Sequence, residues 1–217
     1  MKRGIFVTFE GSEGAGKSTQ VSLLTERLRK LGLPVLTLRE PGGTELGEEI
    51  RLLIRRVDFA IAPCAEAELL LFLASRAQLV REKILPAIHD GMLVICDRYC
   101  DSTIAYQGAA RSLSLEKIGP INAFAVGKCI PNITFLLDLD PAEGLRRIHL
   151  RHGKESDDRM ERESVAFFEK VRAGYLNLAK REPDRFAVLD AHKSIETVHG
   201  EIYDLLCQRL GDLMESN

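Results

Sequence analysis

No apolar run in the 217-residue sequence reaches the roughly eighteen residues that a membrane-spanning helix needs. An excess of either charge is also missing. Thirty Lys and Arg stand against 32 Asp and Glu, a net charge of −2 with a pI near 6.2. That balance gives no electrostatic footprint for a nucleic-acid polymer, and no such partner is expected. The five cysteines (Cys64, Cys96, Cys100, Cys129 and Cys207) contain no C-x-x-C pair. An odd, scattered set predicts reduced thiols rather than a disulfide frame. Cys96 and Cys100 lie four apart but lack partner ligands, and the five histidines form no metal motif. A zinc site is therefore not expected. Met1-Lys2-Arg3 is basic, yet the apolar stretch from Gly4 to Phe9 stops at Glu10, too short for a signal peptide. The expectation is a cytoplasmic protein without a membrane partner.

What is present fits one domain. The length suffices for a single core, and 45% hydrophobic with 29% charged residues is a globular composition. Ile5 to Phe9 reads as a buried first strand, followed by a Gly-rich loop and a helix carrying Val21, Leu24, Leu28 and Leu31. Gly32 and Pro34 close that helix, and Val35 to Leu38 is a second strand before the turn Pro41-Gly42-Gly43. Glu45 to Arg56 predicts a helix. A longer one runs from Pro63 to about Ile88, with Pro86 expected to kink or end it. Leu93 to Cys96, Ile133 to Leu137 and Ala187 to Leu189 are further strands, each running into an aspartate (Asp97, Asp138 and Asp190). Strands alternating with helices predict an α/β fold: five parallel strands with helices on both faces.

Gly11-Ser12-Glu13-Gly14-Ala15-Gly16-Lys17-Ser18 completes G-x-x-x-x-G-K-[ST] between a predicted strand and a predicted helix. Successive backbone N–H groups of such a loop curl around a phosphate, and the helix N-terminus adds positive potential. Lys17 is expected to reach the β- and γ-phosphates and Ser18 to bind Mg²⁺. The motif alone does not separate kinases from switches or motors. A GTPase is disfavoured because no N-K-x-D follows a late strand, where Asp190-Ala191-His192-Lys193 stands instead. Asp97-Arg98-Tyr99-Cys100 likewise fails D-x-x-G. A motor has little to drive in one small domain without a basic surface.

A kinase needs groups that hold an acceptor phosphate. Arg39 and Arg98 end strands two and three, where ligands of open α/β sheets bind. Glu10, Asp97 and Asp190 fall at the same edge. A lone strand-end arginine reads equally as a surface ion pair, but two facing one crevice favour anion binding.

At this point the chain resembles the thymidylate kinase family. The resemblance rests on Glu10-Gly11-x-Glu13-Gly14-x-Gly16-Lys17-Ser18-Thr19, Arg39-Glu40-Pro41-Gly42-Gly43-Thr44, Phe72-x-x-x-Arg76, Asp97-Arg98-Tyr99 and Ser102-Thr103-x-Ala105-Tyr106-Gln107-Gly108. It implies P-loop kinase topology, ATP and Mg²⁺ as cofactors, dTMP as acceptor and a homodimer. In that reading Gly11 to Thr19 cradle ATP, Arg39 and Arg98 grip the dTMP phosphate, and Ser102 is a further substrate-binding residue. Phe72 stacks on thymine, and Arg76 and Gln107 address its polar edge. Tyr106 packs where a 2′-hydroxyl would sit, Glu13 accepts from the 3′-hydroxyl, and Asp97 holds Mg²⁺ through water. From pattern alone, Phe72 within Leu69 to Leu73 reads as core, and Tyr106 and Gln107 as ordinary helix residues.

Gly14 stands where another branch of these kinases carries a P-loop arginine. The resemblance is to the branch whose arginines sit in a lid, here about 147–161. Arg147, Arg151, His152, Lys154 and Arg159 cluster there, and Asp158-Arg159-Met160-Glu161 looks like the lid's D-R-x-E ending. Lys17, Arg98, Arg151 and Arg159 are the expected catalytic residues. The cluster reads equally, without the family, as a solvated basic face. Two competing readings remain open at this stage: another nucleoside monophosphate or deoxynucleoside kinase, and a nucleotide-binding switch without phosphotransfer.

Overall fold

The computed structural model describes residues 4–152 and 158–215, and the side chains of 151–152, 210 and 212–215 lie outside the description. Five parallel strands form one sheet in the order β2-β3-β1-β4-β5. They are β1 (Ile5–Glu10), β2 (Val35–Arg39), β3 (Leu93–Asp97), β4 (Ile133–Asp138) and β5 (Phe186–Asp190). Each extends to the polar residue that ends its run, so Glu10, Arg39, Asp97, Asp138 and Asp190 share the carboxyl edge. Phe9 and Arg39 both pair in register with Asp97, and Asp138 pairs with Asp190.

The strands are apolar throughout because both sheet faces are covered. Val7, Phe9, Ile95, Phe135 and Leu137 point to one side, against Leu24 and Leu28 of α1 (Lys17–Lys30) and Val198 and Ile202 of α9 (Ile195–Glu215). Phe6, Val94 and Cys96 alternate to the other side. There they meet a long helical rod: α3 (Ala65–Leu79), a π-helical turn (Val80–Ile84) and α4 (Leu85–His89). Burying each such side chain contributes about 1.5–3 kcal/mol. Thr8 and Thr134, paired across β1 and β4, satisfy each other's hydroxyls at 2.8 Å.

Pro86 does not end this rod. It sits in the first turn of α4, just past the π-helical turn. Proline removes one backbone donor and crowds the carbonyl four residues back, and a wider π turn relieves that conflict without breaking the helix. α2 (Glu45–Arg55) starts at Thr44, whose hydroxyl accepts from Gly47 N at 3.0 Å.

The remaining elements frame the cleft. α5 (Cys100–Thr103) continues into a second π-helical turn, Ile104–Ala110, and α6 (Leu115–Val126) follows. α8 (Val165–Arg181) packs on that π turn through Gly174, where a Cβ would press on Ala105 and Ala109. α7 (Pro141–His152) is followed in the described residues by a 3-10 turn, Arg159–Arg162.

Candidate active site

β1 delivers its chain end into the P-loop, and α1 begins at Gly16 with no side-chain cap and no acidic residue in its first turn. Its first N–H groups are therefore available to an anion. The Lys17 ammonium donates to Ser12 O at 2.7 Å and is buried. Desolvation, with Arg98 adding repulsion, lowers its pKa to about 8. Gly14 (φ 73) lies directly on α7: a Cβ there would overlap the Gly144 carbonyl, and a Cβ on Gly144 would overlap the Glu13 carbonyl.

Ser18 Oγ donates to Asp97 Oδ2 at 2.5 Å, joining the helix start to the end of β3. The next residue, Arg98, has φ 69, a left-handed conformation that costs a non-glycine residue about 1 kcal/mol. Its N–H is held by Phe9 O at 2.9 Å, and the Tyr99 N–H that follows is caught by Glu10 Oε1 at 2.7 Å. The turn throws the Arg98 guanidinium across the P-loop. It donates to Gly11 O at 3.0 Å and Tyr175 Oη at 3.2 Å, and pairs with Glu13 at 2.8 Å. Burial opposes its charge, but the carboxylate of Glu13 and the neighbouring polar groups hold its pKa well above the ordinary value. The Tyr106 hydroxyl donates to the same Glu13 carboxylate.

Glu10 lies beneath this assembly with no exposure. Ser102 Oγ and Tyr175 Oη each donate to its Oε2 at 2.7 Å. Burial first, and Asp101 second, raise its pKa to about 7.

One cleft unites most of the expected residues. Glu13, Gly14, Gly16, Lys17, Ser18, Thr19, Arg39, Phe72, Asp97, Arg98, Ser102, Tyr106 and Gln107 all line it. Gly11, Ser12 and Ala15 form the back of the loop rather than the wall. Arg39 is engaged by Glu48 at 2.8 and 3.0 Å, so an incoming anion competes with that carboxylate. Ser18 and Asp97 form a hard-oxygen pair at the phosphate end, a donor set that suits Mg²⁺ completed by phosphate and water. Among the described residues no cluster of three His, Cys, Asp or Glu could hold a metal alone.

Two further expected residues are not brought to the wall. Arg76 is buried, and four of its five N–H groups donate hydrogen bonds. Nε donates to Glu40, Nη1 to Thr103 and Asn122, and Nη2 to Tyr99 O at 3.0 Å, with Nη2 also 2.6 Å from the same Glu40 oxygen. The guanidinium is thus committed to the buried Glu40 carboxylate and its neighbours rather than to the cleft. Arg159 turns away from the P-loop as well, donating to Ile54 O at 3.2 Å and to Glu68 at 2.6 Å. The side chain of Arg151 lies outside the described residues, as do Gly153 to Asp157. Arg147 lies between Gly14 O, at 3.5 Å, and Ala191 O, at 3.3 Å.

Some wall residues were not anticipated. Arg51 and Arg55 stand one turn apart on α2, and both line the cleft. Arg51 donates to Pro41 O at 3.0 Å, and Arg55 pairs with Asp158 at 2.8 Å. Their i, i+4 spacing beside the buried Ile50 and Ile54 was a usable signal. Tyr175, buried behind the wall against Glu10, had none, since that partner is 165 residues away.

A parallel sheet of this order, a P-loop at its central strand and four arginines, Arg39, Arg51, Arg55 and Arg98, lining the same cleft are the frame of a P-loop nucleoside monophosphate kinase. Residues 9–202 match the family model described as Thymidylate kinase. Similar proteins include the thymidylate kinase of Deinococcus radiodurans, 47% identical over 96% of this chain and 99% of that protein. That of Thermoanaerobacter sp. (strain X514) is 44% identical over 94% and 98%. A solved thymidylate kinase from Ehrlichia chaffeensis superposes with a TM-score of 0.75 at 34% identity, covering 94% of this chain and 98% of that one. The chain belongs to the thymidylate kinase family.

Proposed function

We propose that this cleft transfers the γ-phosphoryl group of ATP to dTMP, giving ADP and dTDP. The observation that carries the reading is that one cleft is lined both by Lys17 with the Ser18–Asp97 pair and by the tethered Arg98–Glu13–Tyr106 constellation.

Lys17 and the α1 N–H groups hold the donor phosphates. Ser18 and Asp97 would hold Mg²⁺, which supplies neutralisation of phosphate charge. Arg98 and Arg39, with Arg51 and Ser102 nearby, grip the acceptor phosphate and bring its oxygen into line. That oxygen is already anionic near neutrality, so no dedicated general base is required; Glu10, Glu13 and Asp97 position groups. Phe72 offers its ring face to thymine and Gln107 its amide. Tyr106 walls the sugar, and Glu13 accepts from its 3′-hydroxyl. Arg147 and Ala191 border the space for adenine. The segment 147–161 acts as a lid over a single domain and brings an arginine to the transferring phosphoryl group, with Arg151 and Arg159 as the candidates. For Arg159 this requires release from Glu68 on closure.

A homodimer through α3 and α6 accords with the exposed Leu70 (59%) and Phe124 (81%) beside the buried contact of Leu69 and Leu73 with Ile118. Sedimentation of the wild type against Phe124→Glu tests it: loss of the dimer is expected, and an unchanged monomer in both rules it out. Free thiols at all five cysteines accord with a reducing cytoplasm.

The decisive assay is ADP formation from ATP and Mg²⁺ with dTMP, dUMP, UMP, CMP, AMP and GMP. Turnover strongest with dTMP is expected. A better acceptor among the others overturns the thymine reading, and ATP binding without any turnover overturns the kinase reading.

A further inference from the structure

Glu68 lies on α3 one turn before Phe72, and only 1% of its side chain is exposed. It is surrounded by donors. Gln107 Nε2 reaches it at 2.8 Å, Arg111 at 3.1 and 3.2 Å, and Arg159 at 2.6 Å. Burial pushes the carboxyl toward its neutral form. The Arg111, Gln107 and Arg159 bonds outweigh that push, and its pKa lies below the ordinary carboxylate value.

A charged carboxylate has no hydrogen to give. The Gln107 amide is therefore restricted to one orientation, with Nε2 toward Glu68 and Oε1 away from it. Flipping the amide would set two acceptor oxygens against each other inside the protein, leaving both unsatisfied. Among the described residues no donor reaches Gln107 Oε1. Gln107 lines the cleft together with Phe72.

We propose that Glu68 is a specificity-positioning residue: by fixing the Gln107 amide it makes the cleft present an acceptor to the base, selecting pyrimidines that carry a ring N3–H. The inference rests on the dTMP reading. Thymine and uracil donate from N3. Cytosine carries a lone pair there, which in the same pose would meet the lone pairs of Oε1. The device sorts pyrimidines by the state of N3 and leaves the 5-methyl group to other contacts.

The test is the ratio of kcat/KM for dTMP to that for dCMP. In Glu68→Gln the new amide can donate or accept, so Gln107 is free to flip, and the ratio is expected to fall at least about tenfold. Adding Gln107→Glu restores an acceptor-only group, held by the amide at 68, and the ratio is expected to recover. A purely structural role would lower both substrates together. A dTMP-active Glu68→Gln protein with an unchanged ratio overturns the inference alone, whereas a wild type inactive on dTMP overturns the underlying reading. Should Glu68→Gln fail to fold, the native protein is assayed with N3-methyl-dTMP, which cannot donate. A loss of at least about tenfold in kcat/KM is expected, and turnover equal to dTMP refutes the role.

Discussion

Arg76 and Glu40 form an ion pair wholly inside the protein, with Nη2 2.6 Å from Oε2 and side-chain exposures of 1% and 3%. Arg76 also fastens Asn122 of α6, Thr103 of α5 and the Tyr99 carbonyl. The pair thus joins the end of β2 to the helices that wall the cleft. Removing Arg76 strands a buried carboxyl, whose pKa burial already raises despite the arginine. Arg76→Ala is expected to lose about 3–5 kcal/mol of stability, read as a fall in Tm of roughly 10 °C. Glu40→Gln added to Arg76→Met should recover part of the loss relative to Arg76→Met alone. A normal Tm together with a raised KM for dTMP would return Arg76 to the base-binding role that the sequence suggested.

Lys17 supplies a second prediction. With its pKa lowered to about 8, chiefly by burial, the free protein loses this charge as the pH rises past that point. The Kd for ATP is expected to rise above about pH 8, by up to roughly tenfold per unit, the slope for linkage to one proton. Lys17→Ala should bind ATP weakly at every pH and lose at least about a hundredfold in kcat. Calorimetric titration across pH 7 to 10 checks both, and a pH-independent Kd in the wild type argues against the phosphate role.

Glu10 titrates in the opposite sense. Its folded pKa is raised from 4.5 to about 7, so its stabilising contribution is full below 4.5 and disappears as the pH rises through about 7. Glu10→Gln removes that dependence. The stability of the variant relative to wild type is expected to increase by about 3 kcal/mol between pH 4.5 and 7. Urea unfolding at a series of pH values measures it, and parallel curves would show that folding leaves the Glu10 pKa unshifted.

Tyr106 tests discrimination at the sugar. Its hydroxyl is bound to Glu13 and its ring lies 5.0 Å beneath the Arg98 guanidinium, so the ring is fixed in place. Tyr106→Ala opens the space beside it. The preference for dTMP over the matching ribonucleotide should narrow about tenfold. Paired kinetics on the two acceptors decide it, and an unchanged ratio excludes the wall role.

The sheet and the phosphate loop were legible because both are local signals. Alternating apolar runs set the strands to within a residue or two, and the Gly11 to Ser18 spacing sets the strand–loop–helix unit. The side-chain pairings were not legible. Phe72 and Arg76 share one face of α3, but that helix is apolar nearly all round, so the pattern cannot say which side is cleft and which is core. Arg76 is turned inward by Glu40, 36 residues away, and Arg159 by Glu68, 91 residues away. Nothing in either local segment records those partners. That Pro86 would not end the rod could not be read, because the π-helical turn before it has no sequence signature comparable to a proline's.

The backbone contact between Gly14 and Gly144 fixes a division of labour in catalysis. Position 14 is where some kinases place an arginine within the phosphate loop, and here every side chain is shut out by the helix lying against it. Substituting one residue cannot restore that arrangement, since the opposing position is equally closed. In the proposed mechanism, positive charge for the transferring group beyond that of Lys17 and Arg98, which already line the cleft, therefore comes from a segment other than the phosphate loop. The steric closure of one glycine thereby passes that role to residues far along the chain.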